Sequence, residues 1–125
     1  MDGGGMPWAE ARAVGDRGED LVCAHLEGLG WEVVERNWRC REGELDVVAR
    51  QDGLLVFCEV KTRRSQRFGA PVEAVSVAKA RRLRRLAWAW LAEHGQRGET
   101  FRIDVVGVLC QGGRAPQVQH LQGVA

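Results

Sequence analysis

Hydrophobic side chains recur along the chain with two different periods, and each period predicts a type of element. Between Arg17 and Leu29 they fall at positions 22, 23, 26 and 29, the 3.6-residue spacing of a helix with one buried face. A second helical stripe begins at a Ser76 cap and runs to about Glu93. The predicted strands are 31–35 (running on toward Trp38), 44–50, 54–62, 101–109 and a weaker fifth near 117–121.

The dipeptide Asp52-Gly53 separates the second and third predicted strands, and this pair is a strong signal for a two-residue hairpin. The first three strands would then form an antiparallel meander. The helix that follows supplies the crossover that a parallel fourth strand needs. This order predicts an α/β fold with a central mixed sheet of four to five strands and helices on both faces.

Length and composition favour one folded domain. With 125 residues, 45% hydrophobic and 28% charged, the chain can bury a core and is too apolar for disorder. We expect a flexible tail at 1–13, the domain at 14–110, and a turn with an edge strand at 111–125. No apolar run approaches the roughly 20 residues that span a bilayer, and the start lacks a signal-peptide pattern, so we expect a cytoplasmic protein without membrane contact.

The four cysteines are widely spaced and form no Cys-x-x-Cys pair, and the three histidines stand apart. This spacing argues against a zinc site. Cys23 and Cys58 fall within apolar patterns, so we predict that they are buried free thiols.

The net charge of +1 conceals a basic segment. Nine cationic side chains and one anionic side chain lie between Lys61 and Arg85, which suits a polyanion such as DNA. For Arg81 to Arg85 alone, a solvated helix face explains the charge as well. The candidates for phosphate contacts are Arg63, Arg64, Arg67, Lys79 and Arg82. Sixteen of the 18 basic residues are arginine, so Lys61 and Lys79 mark positions where a compact amine is preferred.

The hairpin places three ionisable residues together. A two-residue turn at Asp52-Gly53 puts Asp46 opposite Glu59, with Lys61 on the same strand face as Glu59. Two opposed carboxylates repel each other unless a cation lies between them, and Mg²⁺ or Mn²⁺ is a suitable ion. The alternative is an ordinary ion cluster in which Lys61 neutralises both acids.

The same residues resemble a nuclease signature. Asp46 followed by Glu59-Val60-Lys61, after a helix that carries Glu19, resembles the PD-(D/E)xK motif. More narrowly, the chain resembles the YraN-like family of bacterial proteins over about residues 14 to 109. The blocks that carry this resemblance are Gly18-Glu19, Asn37-Trp38-Arg39, Gly43-Glu44-Leu45-Asp46, Val56 to Arg63, Phe68-Gly69 with Glu73-Ala74-Val75 and Lys79, and Arg102 to Val106.

The resemblance implies a restriction-endonuclease-like fold, close to that of Holliday-junction resolvases, in a family of largely uncharacterised role. By position, Asp46 and Glu59 would be metal ligands, the Val60 carbonyl would complete the site, and Lys61 would be the catalytic lysine. Glu19 lies on the apolar stripe of the first helix, where a solvated helix start and a role in the site are equally good interpretations. The resemblance favours the site.

Two functions of different classes follow. The first is a metal-dependent endonuclease on DNA, with branched or damaged DNA as one substrate class, using Asp46, Glu59 and Lys61. The second is a catalytically silent module that binds nucleic acid or a protein partner. A homodimer is one expectation, since cutting both strands takes two sites. Glu44 shares a strand face with Asp46, but near the strand start a solvated or helix-capping role is at least as good an interpretation. Asp104 could approach the site or pair with Arg102 or another arginine, and we favour the structural role.

Overall fold

The protein is described by a computed structural model that covers residues 7–64 and 75–124, with side chains from residue 17 onward. Within these ranges, two helices and five strands follow one another in the order that the hydrophobic pattern predicts. In chain order they are α1 (Pro7–Gly28), β1 (Glu32–Cys40), β2 (Gly43–Gln51), β3 (Leu54–Arg63), α2 (Val77–Glu93), β4 (Phe101–Leu109) and β5 (Gln117–Leu121).

The strands form one sheet in the order β1-β2-β3-β4-β5. Neighbouring strands are antiparallel except β3 and β4, which run parallel because α2 carries the chain back across the sheet. The predicted mixed sheet with helices on both faces is therefore confirmed, and it is compatible with the restriction-endonuclease-like fold.

The turn between β2 and β3 has the geometry that its two residues favour. Asp52 and Gly53 have φ angles of 49° and 86°, as a tight hairpin turn requires. Strand pairing runs from Gln51 opposite Leu54 to Val47 opposite Cys58. The register predicted from the sequence is thus confirmed for these pairs, but the ladder ends before Asp46 and Glu59, which are not among its paired residues.

Two hydrophobic clusters cover the two faces of the sheet. One joins α1 to the sheet through side chains such as Val22, Leu26, Val47, Val56 and Cys58. The other joins α2 to the opposite face through Leu45, Phe57, Leu86, Trp90 and Ile103. Cys23 and Cys58 are buried free thiols, as predicted. The clusters fix which face each strand residue occupies.

Helix α1 begins earlier than predicted. It starts at Pro7, ten residues before the predicted start at Arg17, so residues 7–13 are helical and do not belong to a flexible tail. Proline is favoured at the first helical position, and the alanines at 9, 11 and 13 are strong helix formers that outweigh Gly15 and Gly18. The predicted tail at 1–6 lies outside the described residues.

Helix α2 confirms its predicted limits. The Ser76 hydroxyl oxygen accepts a hydrogen bond from the backbone N of Lys79 at 3.1 Å and caps the first turn. The predicted loop at 66–71, including Arg67, lies outside the described residues. In the part of the chain that the structure describes, neither helix has the length and apolar character needed to cross a bilayer.

Candidate active site

The side-chain alternation of β1 and β2 shifts by one residue at the level of Asn37 and Asp46. Leu45 packs in the cluster under α2, whereas Val47, two residues on, packs in the cluster under α1. Residues two apart in a regular strand would share a face. Asn37, next to this point on β1, has a φ of 54°, a left-handed conformation that asparagine tolerates better than most residues. The shift turns Asp46 away from both cores and toward β3.

Asp46 reaches β3 through its side chain. Its Oδ2 accepts a 2.8 Å hydrogen bond from the backbone N of Val60, one step beyond the last paired residues, Val47 and Cys58. The carboxylate therefore takes the place of a backbone acceptor where β2 and β3 separate. Because the N–H and C=O of one strand residue point to the same edge, the Val60 carbonyl points toward the same gap.

The electrostatic surroundings of Asp46 are unfavourable to its charged form. Burial is the largest effect, and the charges of Glu59, Glu19 and Glu44 add to it, so the pKa of Asp46 rises to about 7 despite the Val60 hydrogen bond. Three further carboxylates thus act on Asp46, and Glu59 acts most strongly among them. The gap is a place where a cation would be stabilised.

Glu59 is buried, with 9% of its surface exposed, and both lysines of the chain contact it. Lys79, from the first turn of α2, forms an ion pair with Glu59 Oε2, and Lys61 Nζ lies 3.6 Å from the same oxygen. A hydrogen bond from Lys79, together with burial, lowers the pKa of Lys61. Burial also acts to lower the pKa of Lys79, but hydrogen bonds with Glu59 and Lys61 raise it overall. The two amines therefore share one carboxylate.

Glu19 is brought to the sheet by close packing of α1 against β3. A Cβ at Gly18 would overlap the Oγ1 of Thr62, so only glycine allows the helix to lie this near the strand. Glu19 is only 13% exposed at its side chain, and its Oε1 lies 3.7 Å from Nη2 of Arg36. Its charge also contributes to the raised pKa of Asp46. Glu19 is therefore near enough to Asp46 for its charge to act on that carboxylate.

The donor chemistry of these residues fits a hard divalent cation. Asp46, Glu59, Glu19 and the Val60 carbonyl would all offer oxygen atoms, and the charges of Glu59 and Glu19 add to the effect of burial in raising the pKa of Asp46. Among the described residues, no three acidic, histidine or cysteine side chains form a ready metal cage. Mg²⁺ commonly takes one or two carboxylates and completes its shell with water and substrate oxygens, so such a cage is not a requirement.

The other candidate residues take different positions. Arg64 and Arg82 are exposed, and Arg63 is partly buried at the end of β3. Lys79, predicted as a phosphate contact, lies in the ion pair with Glu59. Glu44 pairs with the exposed Arg39, at 3.6 Å between Oε2 and Nε.

Asp104 is fully buried, and its contacts bear out the structural interpretation. Its carboxylate accepts bonds from Arg102 Nε at 2.8 Å and from the backbone N of Gly123 at 3.0 Å, and it lies 2.8 Å from His120 Nε2. His120 Nδ1 in turn lies 3.2 Å from His25 Nε2. Sequence patterns identified Arg102 as a partner, but the histidines are 16 and 79 residues away from Asp104 and only the fold brings them together.

Comparison with known proteins agrees with the motif blocks. Residues 18–108 match the model of a family described as Uncharacterised protein family UPF0102. Relatives named UPF0102 protein include one from Mycolicibacterium gilvum, 53% identical over 95% of this chain and 99% of its own length, and one from Beutenbergia cavernae, 56% identical over 90% and 95%. A third, from Arthrobacter sp., is 52% identical over 89% of this chain and 94% of its own. The chain therefore belongs to the UPF0102 family, the family of the YraN-like proteins that its motifs resemble.

Proposed function

We propose that this protein is a metal-dependent endonuclease that hydrolyses phosphodiester bonds in DNA. The observation that carries the proposal is the hydrogen bond from the Val60 backbone to Asp46, which holds a partly buried carboxylate beside the strand that bears Glu59 and Lys61. Two acids and an amine at a gap in a sheet are the residue types that phosphodiester hydrolysis needs.

Each residue has a distinct role in this proposal. Asp46, Glu59 and the Val60 carbonyl would hold Mg²⁺ or Mn²⁺, with Glu19 approaching from α1. The bound ion would polarise a phosphoryl oxygen and lower the pKa of a water molecule. Lys61 would orient that water and stabilise the negative charge that develops on the phosphate. Lys79 would hold Glu59 in place from the other side.

A catalytically silent nucleic-acid-binding module is the second candidate. The observation that favours it is the double contact of Glu59 with Lys61 and Lys79, because a carboxylate neutralised by two amines is a stable ion cluster without any metal. The exposed Arg64 and Arg82 would serve either function.

A panel of DNA cleavage assays distinguishes the endonuclease from the silent binding module. Labelled flap, fork, four-way junction, single-stranded and duplex DNAs are incubated with Mg²⁺, Mn²⁺ or EDTA. The proposal predicts metal-dependent products from at least one substrate, and a loss of at least about 100-fold in rate for Asp46→Ala and Lys61→Ala. Sedimentation of the same samples tests the expected homodimer.

Glu44→Gln is the matched control, because it removes a carboxylate from the same strand that is paired with exposed Arg39. We expect its rate to stay within about twofold of wild type, as exposed ion pairs have small energetic effects. Cleavage that survives both Asp46→Ala and Lys61→Ala, or no metal-dependent product from any substrate, would contradict the endonuclease.

A further inference from the structure

A cleft of about 420 Å³ lies beyond the carboxyl-terminal end of β3, outside the residues assigned to the candidate active site. Three exposed arginines line it, and each comes from a different part of the chain: Arg17 from α1, Arg64 from the end of β3, and Arg114 from the turn between β4 and β5. Its other lining residues are Cys110, Gln111, Gly112, Gly113 and Pro116. Within the described part of the chain, no acidic side chain contributes to this lining.

The backbone holds the three arginines in fixed relative positions. Arg17 directly precedes Gly18, whose packing on Thr62 sets the distance between α1 and β3. Arg64 follows the last rung of the parallel ladder, where the backbone N of Cys110 donates to the Arg63 carbonyl at 2.8 Å. The three residues are thus anchored to one scaffold, although they are far apart in sequence.

The turn that carries Arg114 is also ordered by backbone contacts. The backbone N of Arg114 donates to the Gln111 carbonyl at 3.1 Å, and Gly113 adopts a φ of 75° that favours glycine. Glycines at 112 and 113 leave this wall of the cleft without side chains. A ligand can therefore approach the backbone closely on the side opposite α1.

The positive charges that line the cleft favour binding of an anion. Among residues 17–64 and 75–124, none of the three guanidiniums is paired with a carboxylate. Three cations that line one cleft without a counter-charge among the described residues repel each other, and a ligand with several anionic oxygens relieves that repulsion. Guanidinium groups bind phosphate through two parallel hydrogen bonds, which makes a phosphate group the best-matched ligand.

The position of the cleft favours a nucleic-acid backbone as the source of the phosphate. Arg64 directly follows β3 and lies three residues beyond Lys61, or roughly 10 Å of extended chain, a span that covers only a few phosphates of one nucleic-acid strand. Arg17 lies two residues before Glu19 on α1. A polymer of regularly spaced phosphates can occupy the cleft and reach the Asp46–Lys61 region at the same time.

We propose that Arg17, Arg64 and Arg114 form a subsite that binds a backbone phosphate of a nucleic-acid strand, within a few nucleotides of the phosphate at the candidate active site. The location of the reacting phosphate rests on the proposed endonuclease, whereas binding of a strand in the cleft does not. The subsite would set the position of the strand, because contacts with phosphates fix register without reading sequence.

The test measures binding without catalysis. Fluorescence anisotropy follows labelled single-stranded and duplex DNA binding to the full chain in EDTA, between about 50 and 200 mM KCl. The variant Arg17→Gln/Arg64→Gln/Arg114→Gln is compared with Arg81→Gln/Arg84→Gln/Arg85→Gln. The second variant removes the same charge from exposed positions of α2 and serves as the matched control.

We expect the cleft variant to bind about tenfold more weakly and to lose about 1 unit of salt slope, because the subsite binds one phosphate and each neutralised phosphate contributes roughly 0.9. The control should retain the wild-type slope. A variant with lysine at the three cleft positions keeps the charge and should bind with intermediate affinity, which separates lost contacts from lost folding.

Equal weakening by both glutamine variants, or by neither, would overturn the subsite. So would displacement of DNA by polyglutamate of equal charge as readily as by an unlabelled oligonucleotide, because the cleft would then accept any polyanion. Since binding is measured in EDTA, loss of the subsite and loss of cleavage in Lys61→Ala are independent results.

Discussion

The side chain of Asp46 substitutes for the backbone of its own strand by accepting the hydrogen bond of Val60 N at 2.8 Å. This contact ends the β2–β3 ladder and places a carboxylate in the plane of the sheet. A regular ladder would have directed Asp46 to one face, where the hydrophobic cluster under α2 lies. The distortion at Asn37 and Asp46 thus converts part of the sheet into a site for polar chemistry.

The first prediction concerns the pH dependence of stability. The pKa of Asp46 is raised from an ordinary 3.8 to about 7, so the unfolded chain loses this proton at lower pH than the folded protein. The free energy of unfolding should therefore fall as pH rises from about 4 to 7 and then level off. Asp46→Asn keeps an acceptor for Val60 and removes the charge, and it should be the more stable protein at pH 8 by up to about 4 kcal/mol.

Urea unfolding of wild type and Asp46→Asn between pH 4.5 and 8.5 measures this difference. The stability gap should widen with pH, and Mg²⁺ should narrow it by stabilising wild type alone. A gap that is constant with pH would mean that burial does not raise the pKa of Asp46.

The second prediction concerns the contact between α1 and β3. Gly18→Ala should destabilise the protein by about 1–3 kcal/mol, because the new methyl group would overlap the Thr62 side chain. Adding Thr62→Ala removes the overlapping Oγ1 and should restore most of the stability that Gly18→Ala loses. Thermal denaturation of the single and double variants measures this coupling.

Gly28→Ala is the control for helix propensity in α1. A Cβ at Gly28 meets no atom of the described residues within 4 Å. We expect it to change stability by less than about 1 kcal/mol, in the stabilising direction. Equal losses for Gly18→Ala and Gly28→Ala would contradict close packing at Thr62.

The third prediction concerns the buried Asp104. Burial acts to raise its pKa, but hydrogen bonds from His120, Arg102 and Gly123 outweigh burial and lower the pKa below 3.8. The charged Asp104 carboxylate therefore stabilises the folded protein fully above about pH 4. This stabilisation is lost as pH falls through the lowered pKa of Asp104. Asp104→Asn should cost about 2–4 kcal/mol at pH 7, and the cost should shrink below pH 4.

Asp20→Asn provides the comparison for this variant. Asp20 pairs with Arg36 at 2.7 Å, but its side chain is 67% exposed. Solvent screens such a pair, so its loss should cost no more than about 1 kcal/mol. Denaturant melts of both variants from pH 3 to 7 measure the difference, and similar losses at pH 7 would count against a structural role of Asp104.

Local sequence signals predicted most of the fold. Asp52-Gly53 set the β2–β3 register, and Ser76 marked the start of α2, because turns and caps depend on residues close in sequence. The start of α1 was missed because two glycines suggested a break that the surrounding helix formers override. No signal of similar strength in the sequence predicted the distortion of the strands at Asn37.

Residues close in sequence also indicated part of the candidate site. Asp46, Glu59 and Lys61 lie on one hairpin, so turn geometry alone indicates that they are near each other. Lys79 belongs to another element, and its contact with Glu59 depends on how α2 packs against the sheet. The Arg36 contact with Glu19 likewise requires the placement of α1 over β1. Such long-range contacts follow from tertiary packing and not from local patterns.

The central claim is that Asp46 and Glu59 together hold one divalent cation beside Lys61. Mn²⁺ titration at pH 8, followed by electron paramagnetic resonance, measures this binding directly and without a DNA substrate. We expect one bound ion in wild type and in Glu44→Gln, and at least about tenfold weaker binding in both Asp46→Asn and Glu59→Gln. Equal Mn²⁺ binding in all four proteins, or none in wild type, would contradict it.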